Sequence, residues 1–488
     1  MHPTLPVDTA PPRWKRVLLA VATVAPAAGL TVRNLVAPLG EVLGRVPDDA
    51  VFYLVIARNL WASAGVSFDG LEPTTGVHWL WLGVVALLTA AVAEPESGLR
   101  VLLLLHGLVA VATVLVFRRV LVLAGSAGPP GRVVSAAIGA WSASAYGLGM
   151  ETLLAATIAL AIVGVGLSTA SPGFSERRLR SLAVVLGGAL TLTRIDMLPL
   201  AIGAGRRMGW AIAGGLLGAA ATQSLNHRIA GEWWSTSAAL KGMGTVGERL
   251  LRLEAGVVWR HLPGPAVAAA LVLVVAQAFP SGARPRFGLL TLAAAVAAVQ
   301  LTASYLMNNL VGPWYMTPLP WLLVAAATAA AGGGTRGYLL AAILVVSQVR
   351  GLALPQPGLH ATVLGFAQSV RRATPPTTRI VAEDFPGIVA WFSGRTVFAA
   401  DGLAATPGYR GALVDGTAWR WWRDRGATHH AATRRREGWL ESAPSVDAIA
   451  PKFLPVPASV VDLAGAEPVV HLVDPSSRRA FTLFRLPG

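Results

Sequence analysis

Asp48 and Asp49 stand side by side after Pro47, and Arg58 follows nine positions beyond Asp49 in an otherwise apolar and aromatic tract ending at Trp61. Pro47 opens a helix, and acidic residues in a first turn meet the positive end of the helix dipole. Capping alone accounts for such a pair as charge placement. The helix that follows is too apolar to point into water, however, and is expected to lie in a membrane interface. Ionisable groups there are costly and mark function by default. A carboxylate at that boundary can take the proton of an attacking hydroxyl or bind a divalent metal through oxygen. The sequence leaves both uses open.

Five further residues carry charge in places where charge is expensive. His78 ends a loop containing Gly and Pro, flanked by Trp79 and Trp81; such a histidine serves as an interface residue or as a functional group. Glu151 opens an apolar run, where its competing role is helix N-terminal charge. Arg194 and Asp196 interrupt another run and can neutralise each other. Lys241, one of three lysines with Lys15 and Lys452, follows Trp233 and Trp234, so an interface anchor competes with a functional role. Trp314 and Tyr315 suit an aromatic belt. Arg434, Arg435 and Arg436 suit a solvated basic face that meets lipid headgroups or an acidic glycan. Gly332, Gly333 and Gly334 lack the strand and the Lys-Ser/Thr ending of a phosphate loop, and no Walker, HExxH or GxSxG pattern occurs.

The elements that must position these groups follow from composition. Of 488 residues, 54% are hydrophobic and 13% charged, with a mean hydropathy of +0.57. A soluble domain carries about 25% charged residues, so an ordinary cytosolic enzyme is excluded, as is a disordered chain. The net charge of +15 comes from short basic groups between apolar runs. That is the pattern of membrane topology and not of a nucleic-acid-binding face. Absence of cysteine removes disulfides, thiolate catalysis and Cys-ligated zinc.

Runs of spanning character, about 20 residues each, fall near 17–38, 77–93, 99–117, 133–148, 151–169, 181–204, 209–225, 265–280, 287–307, 314–331 and 337–353. The expected architecture is an α-helical polytopic membrane domain over 1–354 with about eleven transmembrane helices. A first outer loop covers about 40–76 and a second large one about 226–263. From 355 to 488 the short alternating runs at Arg379 and Arg395, behind a helical stretch at 362–373, predict a small α/β domain. The N-terminal basic cluster places the 40–76 loop outside the cytoplasm. Strict alternation then conflicts with Glu94 and Arg118. The conflict disappears if the segment near 77–93 does not cross fully, or if a crossing lies within 40–76. On that assignment Glu151, Arg194 and the 226–263 loop all face outward.

The order Asp48-Asp-Ala-Val-Phe-Tyr53, Ala57-Arg-Asn59, Phe68-Asp-Gly70 and Pro73-Thr-Thr-Gly-Val-His-Trp-Leu-Trp81 resembles the first extracytoplasmic loop of bacterial GT-C-type membrane glycosyltransferases. Gly149-Met-Glu-Thr152, Thr193-Arg-Ile-Asp196, Ser237-Ala-Ala-Leu-Lys241, Trp314-Tyr-x-x-Pro318, Phe392-Ser-Gly-Arg-Thr-Val397 and Asp401-Gly-Leu403 continue the resemblance in chain order. Thr75, Val77, Trp79, Ile195 and Ala238 depart from the family pattern, which has Asn, Phe, Pro, Pro and Gly there. The shape of the loop near His78 is therefore expected to differ.

The resemblance implies sugar transfer from a polyprenyl-phosphate donor to a hydroxyl of a cell-envelope glycan, lipid or protein. Transfer would occur on the outer face of the cell membrane, with inversion at the sugar carbon. Asp48 or Asp49 would be the base, and Arg58, His78, Glu151, Arg194, Asp196 and Lys241 would bind substrate. A divalent metal on the two aspartates stays open. Besides donor and acceptor, membrane lipids are the expected partners, with no nucleic acid. The C-terminal domain would lie outside the cytoplasm. A multi-pass transporter or flippase of a lipid-linked substrate is the alternative class. It predicts related halves with broken helices, whereas the two halves here look unlike each other.

Overall fold

A computed structural model of the chain describes residues 12–144, 147–168, 175–242, 284–307, 318–331, 335, 337–342, 345, 358–434, 446–449 and 459–487. Its helical part runs α1 (Arg13–Val36), α2 (Leu39–Leu43), α3 (Asp48–Trp61), α4 (Trp79–Thr89), α5 (Pro95–Leu123), α6 (Pro129–Ser144), α7 (Thr152–Leu167) and α8 (Glu176–Thr193). A 3-10 segment (Ile195–Arg207) follows, then α9 (Met208–Ala230), α10 (Thr236–Lys241), α11 (Arg284–Met307) and α12 (Pro318–Ala331). Leu87, Leu108, Val185, Leu217 and Val299 are exposed on five of these helices. An apolar outer surface of that extent suits lipid and not water.

Among the described residues, two helices, α1 and α5, are long and apolar enough to cross a membrane by length and composition. Others are shorter than their hydropathy runs. The run at 181–204 is split at Arg194, where α8 ends and the tighter segment begins. The run at 77–93 yields α4, whose 11 residues reach roughly 16 Å at about 1.5 Å per residue. That is about half of a hydrocarbon layer. The expected run at 265–280 and most of 226–263 beyond Gly242 lie outside the described residues, as do Trp314, Tyr315, Gly332–Gly334, Arg435 and Arg436.

The C-terminal part contains α13 (Leu359–Ala373), β1 (Arg379–Ala382), α14 (Pro386–Ser393), β2 (Thr396–Ala399), α15 (Pro407–Val414), α16 (Ala418–Asp424), β3 (His429–Arg434), β4 (Val446–Ile449), β5 (Ser459–Asp462), β6 (Glu467–Asp474) and β7 (Arg479–Arg485). One mixed sheet has the order β2-β1-β3-β7-β6. β1 runs parallel to β2, with Arg379 opposite Thr396, and parallel to β3, with Ile380 opposite His429. β7 is antiparallel to β3 and β6, and β4 and β5 pair separately. α13 buries Val363, Phe366, Ala367 and Val370. That spacing makes one apolar helix face, and it packs on the sheet and on α2.

The two parts share a core. Residues 50–57 of α3 are all buried, and they cluster with Trp81, Leu99 and Leu102 from the bundle and with Ile388, Trp391 and Val397 from the sheet domain. α3 is therefore not an interfacial helix, as its sequence leads one to expect. Its apolar character on every side is that of a helix enclosed by protein, sandwiched between α4 and α14.

Candidate functional site

The first turn of α3 points at the C-terminal domain. The two carboxylate oxygens of Asp48 accept the backbone N–H of Gly387 at 2.9 Å and of Ile388 at 2.7 Å. These are the free donors at the start of α14, where the helix dipole also favours an anion. Burial still pushes the Asp48 carboxyl up to about 7, against the pull of those two donors. Gly387 is required by the approach: a Cβ there would lie 2.7 Å from the backbone oxygen of Asp48. Asp48 thus joins bundle to sheet domain.

Asp49, one residue on, accepts no side-chain or inter-element hydrogen bond among the described residues. It is partly buried. Burial raises its pKa, the Lys241 ammonium lowers it, and the Glu151 carboxylate raises it. Lys241 is buried at the end of α10, while Trp233 and Trp234 are exposed, so the tryptophans and not the lysine are the surface groups of that loop.

A third carboxylate completes this corner. Asp401 follows β2, is nine-tenths buried, and accepts the N–H of Leu403 at 3.0 Å. Burial raises its pKa well above the usual carboxylate range, with Asp49 and Asp48 adding to the rise and Lys241 opposing it. The segment 401–405 is clamped to the first loop and to α10. The Thr74 hydroxyl donates to the Ala405 carbonyl at 3.1 Å. A Cβ on Gly76 would lie 2.1 Å from the Leu403 carbonyl oxygen, and Gly402 faces Leu240. The Thr236 N–H donates to Thr75 Oγ1 at 3.0 Å, tying α10 to the same loop.

Glu151 sits behind this corner and is almost fully buried. It accepts the Tyr53 hydroxyl at 3.0 Å and Arg194 Nη1 at 2.9 Å, with His78 Nε2 at 3.3 Å. Arg194 also grips Asp196 through Nε at 3.1 Å and Nη2 at 2.8 Å. Tyr53 lies one helical turn past Asp49 on α3, so a single helix presents both the base-like carboxylate and a contact to the charge network.

No family model matches the sequence, and no curated protein matches it. Solved structures do match in fold. ArnT from Cupriavidus metallidurans bound to undecaprenyl phosphate superposes with a TM-score of 0.51 at 13% identity, over 97% of this chain and 98% of that one. The apo oligosaccharyltransferase of Archaeoglobus fulgidus gives 0.52 at 9% identity, over 86% of this chain and 70% of that one. This chain has the GT-C membrane glycosyltransferase fold.

In the GT-C frame, the sequence-predicted residues divide into three places. Asp49 and Lys241 are coupled by charge at the junction, with Asp48 beside Asp49 but turned to α14. His78, Glu151, Arg194 and Asp196 form one continuous network. Arg58 lies apart, its guanidinium 5.3 Å from the centre of the Trp391 ring. Two residues were missed as site groups, Tyr53 and Asp401. Both stand inside stretches that carry the GT-C resemblance, which was their signal. Each carboxylate oxygen of Asp48 accepts one backbone N–H bond and keeps one further lone pair. Among the described residues no group of three or more His, Asp or Glu is placed to hold a metal ion.

Proposed function

We propose that this protein transfers a sugar from a polyprenyl-phosphate donor to a hydroxyl of a cell-envelope acceptor on the outer face of the membrane. One observation carries the reading. Asp49 accepts no side-chain hydrogen bond among the described residues and is coupled by charge to the buried Lys241 ammonium, at a junction walled by the first loop, the bundle and the sheet domain.

Asp49 takes the proton of the acceptor hydroxyl. The acceptor oxygen then attacks the anomeric carbon from the side opposite the phosphate, and the bond from that carbon to the phosphate oxygen breaks. The configuration inverts, and polyprenyl phosphate leaves with one additional negative charge. Lys241 is the cation whose charge acts on Asp49, and a fixed cation in a water-poor site stabilises a developing anion strongly. Arg194 is already neutralised by Glu151 and Asp196, which fits a role in holding Glu151 and His78 in place.

The test is transfer of label from a polyprenyl-phospho-sugar in proteoliposomes containing the purified chain. Wild type forms glycosylated product and Asp49→Asn does not, although it inserts and folds. Turnover by Asp49→Asn near the wild-type rate would sink the mechanism.

A further inference from the structure

The end of the bundle opposite the Asp49 corner takes no part in sugar transfer, and its charges point to a second partner. α8 runs 18 residues from Glu176 to the turn at Arg194, roughly 27 Å at about 1.5 Å per residue. α9 lies along it in the same direction. Gly187 meets the backbone of Ala211, Gly218 meets that of Gly188, and the Thr191 hydroxyl donates to the Gly215 carbonyl at 2.9 Å. The two helices therefore begin at the same end, where their dipoles add to a positive potential.

Arg207 bridges the two starts. Its Nη2 donates to Glu176 Oε2 at 2.6 Å and its Nη1 to the Val165 carbonyl of α7 at 2.9 Å. Its buried Nε has no hydrogen-bond partner, and no side chain caps the start of α9. Arg180 shares Glu176 at 3.2 Å and lies 6.0 Å from the centre of the Trp210 ring. Arg177, Arg178 and Arg206 are exposed, and their side chains have no hydrogen-bond or ion-pair partner among the described residues. Apart from Asp196, which belongs to the far network, Glu176 is the only acid between residues 152 and 231. It is already held by Arg207 and Arg180, so it does not offset the other three cations.

Apolar surface begins immediately beside these arginines. Leu182 and Val185 on α8, and Met208 and Trp210 on α9, are exposed. A partner that covers both parts carries negative charge at the level of the arginines and apolar chains next to it. A soluble phosphate meets the first requirement alone, and an acidic polypeptide leaves the aliphatic residues in water.

We propose that this face binds the phosphate headgroup of an anionic membrane phospholipid. Arg177, Arg178 and Arg206 take the phosphate, for which guanidinium offers paired N–H donors, and the two helix starts add their potential. Trp210 and the aliphatic side chains of α8 lie along the acyl chains. On the outward assignment of the Asp49 corner this is the cytoplasmic leaflet, but the site does not depend on the transfer reaction. The lipid anchors α8, whose other end leads into Arg194 and the network around Glu151.

The experiment uses the full-length chain in mild detergent, titrated with phosphatidylglycerol or with phosphatidylcholine of equal chain length. Retained lipid is read by native mass spectrometry and stability by thermal shift. Wild type is expected to retain the anionic lipid about tenfold or more over the zwitterionic one, each basic group at a membrane surface being worth about fivefold, and to melt higher with it. The triple variant Arg177→Gln, Arg178→Gln, Arg206→Gln changes exposed positions only. It is expected to melt as wild type does without lipid and to lose most of the preference. A second triple variant, Arg13→Gln, Lys15→Gln, Arg16→Gln, removes an exposed basic cluster on α1, which packs on α5 and α6. It is expected to keep the preference.

Equal retention of the two lipids by wild type overturns the proposal. So does the same loss in both triple variants, which makes the attraction a diffuse property of net charge. A rise in melting temperature with inorganic phosphate or polyglutamate that matches the rise with phosphatidylglycerol also overturns it, by assigning the arginines to a soluble phosphate or an acidic protein.

Discussion

The carboxylates of Glu151 and Asp49 occupy the same end of the bundle, within electrostatic reach of each other, yet their surroundings are built in opposite ways. Around Glu151 the bonding is saturated: a tyrosine hydroxyl, a guanidinium and an imidazole converge on two oxygens, and the guanidinium grips a second carboxylate, which Gln300 also bonds. Around Asp49 the bonding is sparse: no side chain donates to it among the described residues, and the Lys241 ammonium reaches it through charge. Saturated buried charges specify geometry and are costly to break. Sparse ones keep lone pairs for a substrate and hold pKa values away from their usual range. The difference separates a frame from a working corner, although both contain the same residue types.

The largest effect that can break this comparison is on turnover. Asp49→Asn is expected to lower kcat by about 10²–10⁴, the usual weight of a general base, with the melting temperature in detergent unchanged. Glu151→Gln should do the reverse in kind. It leaves Arg194 and His78 short of a buried anion, which costs about 3–5 kcal/mol and shows as a large drop in melting temperature. Equal loss of stability in both variants would erase the distinction between frame and corner.

The charged groups were legible in the sequence because charge is scarce in so apolar a chain, so Asp48, Asp49, Glu151, Arg194 and Lys241 stand out one by one. The pairing of Arg194 with Asp196 was legible from their spacing. What sequence could not show is contact across the chain. Asp48 and Asp49 are chemically identical neighbours, and only the position of α14, more than 330 residues later, turns one into a strut. Asp401 reads as an ordinary loop acid until β2 brings it under the first loop. Hydropathy also misplaced α3, because a helix enclosed by protein and one lying in an interface have the same composition.

The pH profile sharpens the comparison next. Asp49 must be ionised to act as base, and its pKa is raised by burial, so activity climbs with pH along a limb lying above the ordinary carboxylate range. Lys241 holds that pKa down. Lys241→Met is therefore expected to move the limb to still higher pH and to weaken use of the donor by about 10–100-fold, the worth of a charge-assisted hydrogen bond. A limb that stays in place would remove Lys241 from the corner.

The smallest expected effect falls on Arg58, one of the residues that the resemblance led us to expect would bind substrate. Nine residues of helix separate it from Asp49, roughly 14 Å at about 1.5 Å per residue, and half-odd turns put the two on opposite faces of α3. Its guanidinium lies over Trp391, whose indole N–H donates to the Pro95 carbonyl at 2.8 Å. A cation over an aromatic ring at a partly exposed site contributes about 0.5–1 kcal/mol. Arg58→Ala is expected to lower the melting temperature slightly and leave donor KM within about twofold, the scale of that contact. A rise in donor KM matching that of Lys241→Met would place the phosphate at the far end of α3 and move the working corner with it.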